Sequence, residues 1–386
     1  MTSALVSPPV LRWARQRARL NLEIVGQKTH VAADKIASWE SGEARPTFKQ
    51  AQSLAKALHV PFGYFFLSQP PQETLAIPDF RTVGSREKGS LSSELREVVT
   101  EALRRQDWFR DYLKEQGAEV LPMVGKFVFG DEIETVAHDI VRTLKLSMAD
   151  RDGAPRWEDF LGLLFDRAEA AGISILRSGI VGNNTHRPLL VEDFRGFALC
   201  DPLAPLIFLN GADAPAAQFF TFAHELAHIW TGQSGIGETR PEVSSAAFLE
   251  TERFCDVVAA EVLVPQAEFQ QRWNRNLELA ENARALSRIF RVSPLVTARR
   301  ALDLGMVPWE SYDGFYRAEI DLWHGTQQGR GGGDYYRNIP ARNGRRLTAA
   351  VVTKALQREM LWRDAARLLA IQPSQIQKLA EEMDIR

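Results

Sequence analysis

Between Ile173 and Asn210 the apolar residues change rhythm, and that change limits the folds open to the chain. The runs "ISIL", "PLLVED", "FRGFALC" and "PLIFLN" are short, apolar or alternating, and separated by Gly, Asn, Asp and Pro. This is the pattern of three or four strands in a small sheet. On both sides the spacing is helical. Upstream, "SELREVVTEALRRQDWFRDYLKEQG" and "WEDFLGLLFDRAEAAG" end at Gly117 and Gly172, each placed as a helix stop. Downstream, helical patterns run from Ala214 to about Leu304, broken by the Gly-rich "TGQSGIGETRP". A small sheet set among many helices predicts a mostly α chain with an α+β part. Its 386 residues allow two or three domains, each with its own core.

The formal net charge of -2 gives no global basicity, so any surface for nucleic acid or anionic membrane must be local. Two cysteines, Cys200 and Cys255, exclude a disulfide framework and a four-cysteine zinc module, and read as buried small hydrophobes in a reducing compartment. The N-terminal "MTSALVSPPVLRWARQRARL" places its arginines after a short apolar stretch, the wrong order for a secretory signal. No apolar run approaches the roughly eighteen residues of a membrane span. A cytoplasmic protein without a membrane partner is expected.

Directly after the last strand comes "QFFTFAHELAHIW", Gln218 to Trp230, in a segment of good helix formers with no interior Gly or Pro. His224 and His228, at i and i+4, therefore lie on one helix face a turn apart, where both imidazoles can reach one cation. Glu225 falls between them. It can reach a water at that cation without being a ligand, as zinc sites of the H-E-x-x-H type require. A buried helix with hydrogen-bonded histidines is the bland alternative, and a third ligand decides between them. The later helical run "AFLETERFCDVVAAEVLVP" offers Glu250, Glu252, Asp256 and Glu261. Glu252 is preferred, because Asp256 stands four residues on, where it can bind the second nitrogen of a ligating histidine. Glu250 is the alternative and lacks such a companion.

The blocks "RGFALCDPLAPLIFLN", "FTFAHELAHIW" and "ERFCDVVAAEVLVP", in this order, resemble the ImmA/IrrE family of bacterial zinc metallopeptidases over roughly residues 160 to 305. The resemblance implies Zn2+ held by His224, His228 and Glu252, with Glu225 as general base. It further implies a zincin-like fold, a small twisted sheet against the histidine helix, and a helix-turn-helix repressor as the protein substrate.

The N-terminal block "KIASWESGEARPTFKQAQSLAKAL" resembles the Xre, or Cro-like, helix-turn-helix domains in its Ile, Trp-Glu, Gly and Pro spacing. Five short helices are expected. Thr47 and Gln50 make a capping box, and Phe48, Ala51, Leu54, Ala55 and Leu58 supply the buried stripe. Residues 1 to 60 hold nine Lys or Arg against four Asp or Glu, enough to lie on the phosphates of double-stranded DNA through residues 9–68. The recognition helix, Ala32 to Ser41, offers only Lys35 and Ser38 as reading groups, so a protein-interaction module on the same scaffold is the competing reading.

The expected order is thus a helix-turn-helix domain at 9–68, a linker at 69–90, a helical connecting region at 91–155, a zincin-like domain at 156–310 and a helical C-terminal region at 311–386. Two further segments, "ALSRIFRVSPLVTARRALDLG" and "LWRDAARLLAIQPSQIQKLAEEM", read as helix, turn, helix, with Ser293 as an N-cap in the first. The stretch from His324 to Arg346 contains "GRGGGD" and five arginines but lacks the ending of a phosphate-binding loop, and reads as a linker. His186 and Tyr312 are open as groups that approach the cation. The substrate is expected to bind extended, as an added strand beside Leu206 to Asn210. The function expected is a zinc endopeptidase that cleaves a transcriptional repressor or other regulatory protein. The rival is a DNA-binding regulator or antitoxin-like protein whose metallopeptidase part is a sensor or interaction module. A retained Glu225 favours the enzyme, because a structural zinc site has no use for a base.

Overall fold

The computed structural model describes residues 3–71, 92–236, 246–327 and 335–385. Most of the expected linker at 69–90, the end of the "TGQSGIGETRP" loop and the "GRGGGD" stretch lie outside them. The described residues fall into two compact units, one up to Glu97 and one from Val98 onward.

The first unit holds α1 (Pro8–Arg17), α2 (Leu22–Thr29), α3 (Ala33–Ser41) and α4 (Phe48–Ala57). The expected fifth helix is a short 3-10 turn, Phe62–Phe66. Local chemistry sets the helix starts. Pro8 fits the first turn of α1, Asn21 accepts from Ile24 N at 2.8 Å, and Thr47 and Gln50 form the reciprocal box at α4. Leu11, Ile36, Trp39, Leu54 and Phe65 close the core. Phe48 departs from the expected stripe and is 48% exposed. It stands in the first turn of α4, with Phe62 packed edge-on against it at 5.0 Å. Arg15 makes a forked pair with the buried Glu40, at 2.7 and 2.8 Å, that ties α1 to α3.

The second unit begins within α5 (Ser93–Glu115) and continues through α6 (Ile133–Thr143), α7 (Met148–Gly153) and α8 (Trp157–Ala170). Then come β1 (Ser174–Ser178), β2 (Gly196–Leu199), β3 (Leu206–Asn210), α9 (Pro215–Thr231), the two-residue β4 (Gly235–Ile236) and α10 (Ala246–Leu263). The remainder is helical: α11 (Gln266–Arg272), α12 (Leu279–Phe290), α13 (Pro294–Asp303), α14 (Trp309–Gln327), α15 (Tyr335–Asn343), α16 (Arg345–Leu356), α17 (Trp362–Leu369) and α18 (Ile376–Glu382).

The sheet order is β1-β3-β2-β4, with β1 parallel to β3 and the other pairs antiparallel. Two expectations are corrected here. "PLLVED" is not a strand: Pro188 makes a single bridge to Ile180, and the chain then turns, with Asp193 N on Leu190 O. Proline has no N–H to continue a ladder. Leu206 to Asn210 is not an edge either, since β3 is paired on both sides and has no free edge to receive a peptide.

α9 is buried on nearly every side, from Phe219 through Trp230, between the sheet, α6 and α10. Helices apolar all round belong in such a place. Gly232 ends α9 at φ +69, and a Cβ there would stand 2.9 Å from Gly125 Cα. A separate core joins α5 to the last four helices through Phe109, Leu113, Leu347, Val351, Leu369 and Leu379. α17 and α18 meet at a turn in which Ala370 takes φ 54, the backbone of a tight helix-to-helix corner. Glu169 joins this part to the sheet. Its carboxylate accepts Ile175 N of β1 at 3.3 Å and the amides of Arg345 and Arg346 at 3.0 and 3.3 Å.

Candidate metal centre

Residues His224 and His228 project from one face of α9, as their spacing requires. Glu252 reaches them from α10, which packs along α9. The two Nε2 atoms are 3.0 Å apart, and Glu252 lies 3.2 Å from each, through Oε2 to His224 and Oε1 to His228. Among the described residues this trio is the group of His, Cys, Asp or Glu able to hold a metal ion, with one ligand atom from each residue all within 4.8 Å of one another. Two nitrogens about 2.0–2.1 Å from one ion at the tetrahedral angle stand roughly 3.3 Å apart. The observed spacing is close to that. Two nitrogens and a carboxylate oxygen form the donor set of a catalytic zinc site, so the residues present fit the ion.

The groups behind the donors fix their orientation. Asp256 Oδ1 lies 2.9 Å from His224 Nδ1. A carboxylate only accepts, so Nδ1 carries a proton, and Nε2 is the nitrogen turned toward the cluster. His228 Nδ1 faces Cys255 Sγ at 3.7 Å, and Cys200 Sγ donates to the His228 carbonyl at 3.3 Å. Burial pushes the Cys200 thiol up to about 12, so it is inert. Asp256 is itself held: Arg299 approaches its Oδ2 at 3.4 Å, binds Asp303 Oδ1 at 2.8 Å through Nε, and lies over the Phe220 ring at 5.4 Å.

Burial opposes a positive charge on His224, yet hydrogen bonds to Asp256 and Glu252 hold its pKa well above the ordinary value. Burial likewise opposes the charge of Glu252, and the two imidazoles overcome it and hold the carboxyl far below its usual range. The cluster therefore demands a positive charge where its three donors converge. Glu225 differs. It is 1% exposed, burial pushes its pKa up to about 8, and its Oε2 has no hydrogen-bond partner. It sits beside the three donors without joining them. β2 makes room for it, because at Gly196 a Cβ would meet Thr221 Cγ2 at 2.7 Å, Phe208 O at 3.0 Å and Glu225 Oε1 at 3.1 Å.

His224, Glu225, Glu252 and Asp256 all line one open cavity of about 660 Å³. Tyr312 lines it too, whereas His186 lies exposed in the loop after β1 and is not in its wall. Glu250 is exposed, and Glu261 is spent on Arg300 and Gln266 N, so neither competes with Glu252. Lys35 and Ser38 stand on α3 in the other unit. The Lys35 ammonium lies 5.9 Å from the centre of the Trp39 ring, and Ser38 Oγ donates to Lys35 O at 2.8 Å. Arg299 and Gly196 were not singled out from sequence. An arginine on a helix and a glycine in a strand carry no local mark of a site.

Comparison with known families agrees with this partition. Residues 168–302 match the peptidase M78 model, described as an IrrE N-terminal-like domain, and residues 11–65 match a helix-turn-helix model. Residues 343–382 match a domain of unknown function (DUF8813). No curated protein matches the chain. Among the described residues no helix is long and apolar enough to cross a membrane.

Proposed function

Because this chain has the architecture of the ImmA/IrrE family, an IrrE N-terminal-like peptidase domain behind a helix-turn-helix domain, we propose that it is a zinc-dependent endopeptidase acting on a regulatory protein, a transcriptional repressor first. His224, His228 and Glu252 hold the zinc. When bound, the ion supplies Lewis acidity toward the scissile carbonyl and toward water. Glu225 takes the proton of the attacking water and passes it to the leaving nitrogen. Its unpartnered oxygen in the wall of the same cavity favours this, since a base must keep an acceptor atom free for the proton it takes. Asp256 keeps the His224 tautomer that turns Nε2 inward, and Arg299 keeps Asp256 in line.

One observation carries the reading. A buried glutamate with an unpartnered oxygen stands beside a complete set of three donors, and both open into the same cavity. A site that served only to brace the fold would have no use for it. The test uses purified, zinc-loaded protein and a helix-turn-helix repressor as substrate. Glu225→Gln should retain zinc and lose cleavage by a factor on the order of a hundred to ten thousand, the usual worth of a positioned base. Glu252→Gln should lose zinc as well, because an amide is a poor ligand. A zinc-loaded Glu225→Gln protein that cleaves at the wild-type rate would refute the assignment.

A DNA-binding role for the first unit has its own support in the helix-turn-helix match and the local excess of basic residues. Lys35 and Ser38 are the reading groups in that proposal, and specificity should be modest, since Ser38 already spends its proton on Lys35 O.

A further inference from the structure

The cavity extends well beyond the donors. His224, Phe220, Ala217 and Ala216 line it at i, i−4, i−7 and i−8 along α9, so it follows one helix face for about 12 Å. Facing them are Leu295 and Val296 of α13 and, from α14, Tyr312 and Trp309, whose rings lie 5.7 Å apart. Trp309 is 59% exposed and, together with Tyr312, gives the slot an aromatic wall that is open to an incoming group. The two alanines leave the space open; a larger side chain at either position would fill it.

The charges that Arg195, Arg299 and Asp313 bring to this wall are already matched. Arg195 binds Asp213 at 3.2 Å and the Tyr316 hydroxyl at 3.0 Å. Arg299 is taken by Asp303 and Asp256, and Asp313 by Arg317 at 2.7 Å. Arg253, next to Glu252 on α10, is exposed to solvent, where water screens it. A charged side chain entering the slot would give up its hydration where Arg195, Arg299 and Asp313 are already paired, and the water-screened Arg253 would offset little of that cost. An apolar ring would find aromatic and aliphatic surface on three helices.

We propose that this slot is a subsite for one large apolar or aromatic side chain of the polypeptide substrate, next to the scissile bond. The inference rests on the peptidase reading and adds a specificity to it.

The test separates the two. Full-length, zinc-loaded protein carrying Glu225→Gln is titrated with blocked peptides of Ala, Ser and Gly that contain a single Phe, Leu, Lys or Glu, and binding is measured by calorimetry. The Phe and Leu peptides should bind at least tenfold more tightly than those with Lys or Glu. Adding Ala216→Trp, or Ala217→Leu should the first fail to fold, should remove that preference while zinc content by metal analysis stays near one per chain. Equal binding of the four peptides, tighter binding of the Lys or Glu peptide, or a Phe preference that survives the filled slot would overturn the subsite. Because binding is read without hydrolysis, a flat profile in a protein whose parent cleaves sinks the subsite alone. A selective profile in a protein whose parent never cleaves sinks catalysis alone.

Discussion

At the scale of single residues, the site depends on contacts that differ greatly in how far along the chain they reach. The pairing of His224 with His228, and of Glu252 with Asp256, is set by one helical turn and was legible from spacing alone. Arg299 was not. It meets Asp256 across 43 residues, through the packing of α13 on α10, and nothing near it in the sequence records that. Gly196 is similar, since its lack of a side chain matters only because α9 lies against β2. We predict that Gly196→Ala costs about 1–3 kcal/mol of stability, the usual penalty of overpacking, and lowers cleavage by moving Glu225. Denaturant unfolding and steady-state kinetics on the same preparation check both, and a variant of unchanged stability and rate would show that the strand yields. Arg299→Ala should weaken zinc affinity in a competition titration, on the order of the tenfold to hundredfold that groups behind metal ligands carry. Arg299→Lys should restore part of it.

At the scale of elements, helix type and position were readable wherever caps and period agreed, as at Thr47 and Gln50 or at Ser293, which accepts from Val296 N in the structure. The sheet was less so. Which strand lies at an edge depends on pairings between distant segments, and β3 is interior because β1 pairs with it across the intervening β2. The join of α6 to α9 is also non-local. Asp139, buried, accepts Trp230 Nε1 at 3.0 Å and Lys126 Nζ at 2.6 Å, and pairs with Arg142. Burial works against its charge, but the bonds from Lys126 and Trp230 prevail and hold its pKa below the ordinary value. The native state thus binds this proton less tightly than the unfolded chain. The stabilisation is complete above the unfolded pKa of about 3.9 and is lost as pH falls through the lower folded value. Asp139→Asn should therefore cost about 1–3 kcal/mol near neutrality and flatten the acid limb of stability against pH. An unchanged acid limb would assign it to other carboxyls.

At the scale of the whole molecule, the two compact units should melt separately. A zinc ion that binds the folded second unit and not its unfolded chain would stabilise it by about 4 kcal/mol at a thousandfold excess over Kd. Removing the ion with a chelator should lower that transition by roughly 6–8 °C, given about 1.5–2 °C per kcal/mol at this size, and leave the transition of the helix-turn-helix unit in place. Calorimetry that finds both transitions moved, or neither, would contradict the site. If the first unit grips phosphates, duplex affinity should fall steeply with salt, and Lys35→Ala should reduce sequence preference. An absence of binding at low salt would leave the protein-interaction role.

The seal that Glu169 makes on β1 has a further consequence. An outer strand of a sheet is a template for other chains, and Ile175 N is one of its exposed rungs. Glu169 occupies that rung, and the same carboxylate draws the start of α16 against the strand, where Gly344 would place a Cβ 3.7 Å from Ile175 O. Cutting the chain before Tyr335 would leave Glu169 on Ile175 N but strip it of its two α16 amides, and would uncover Ile175 O together with the apolar face of α5. A truncated peptidase fragment should then form aggregates, with rising thioflavin fluorescence, although every residue of its metal cluster remains. The helices at 343–382 would in that case keep the enzyme in solution as single molecules.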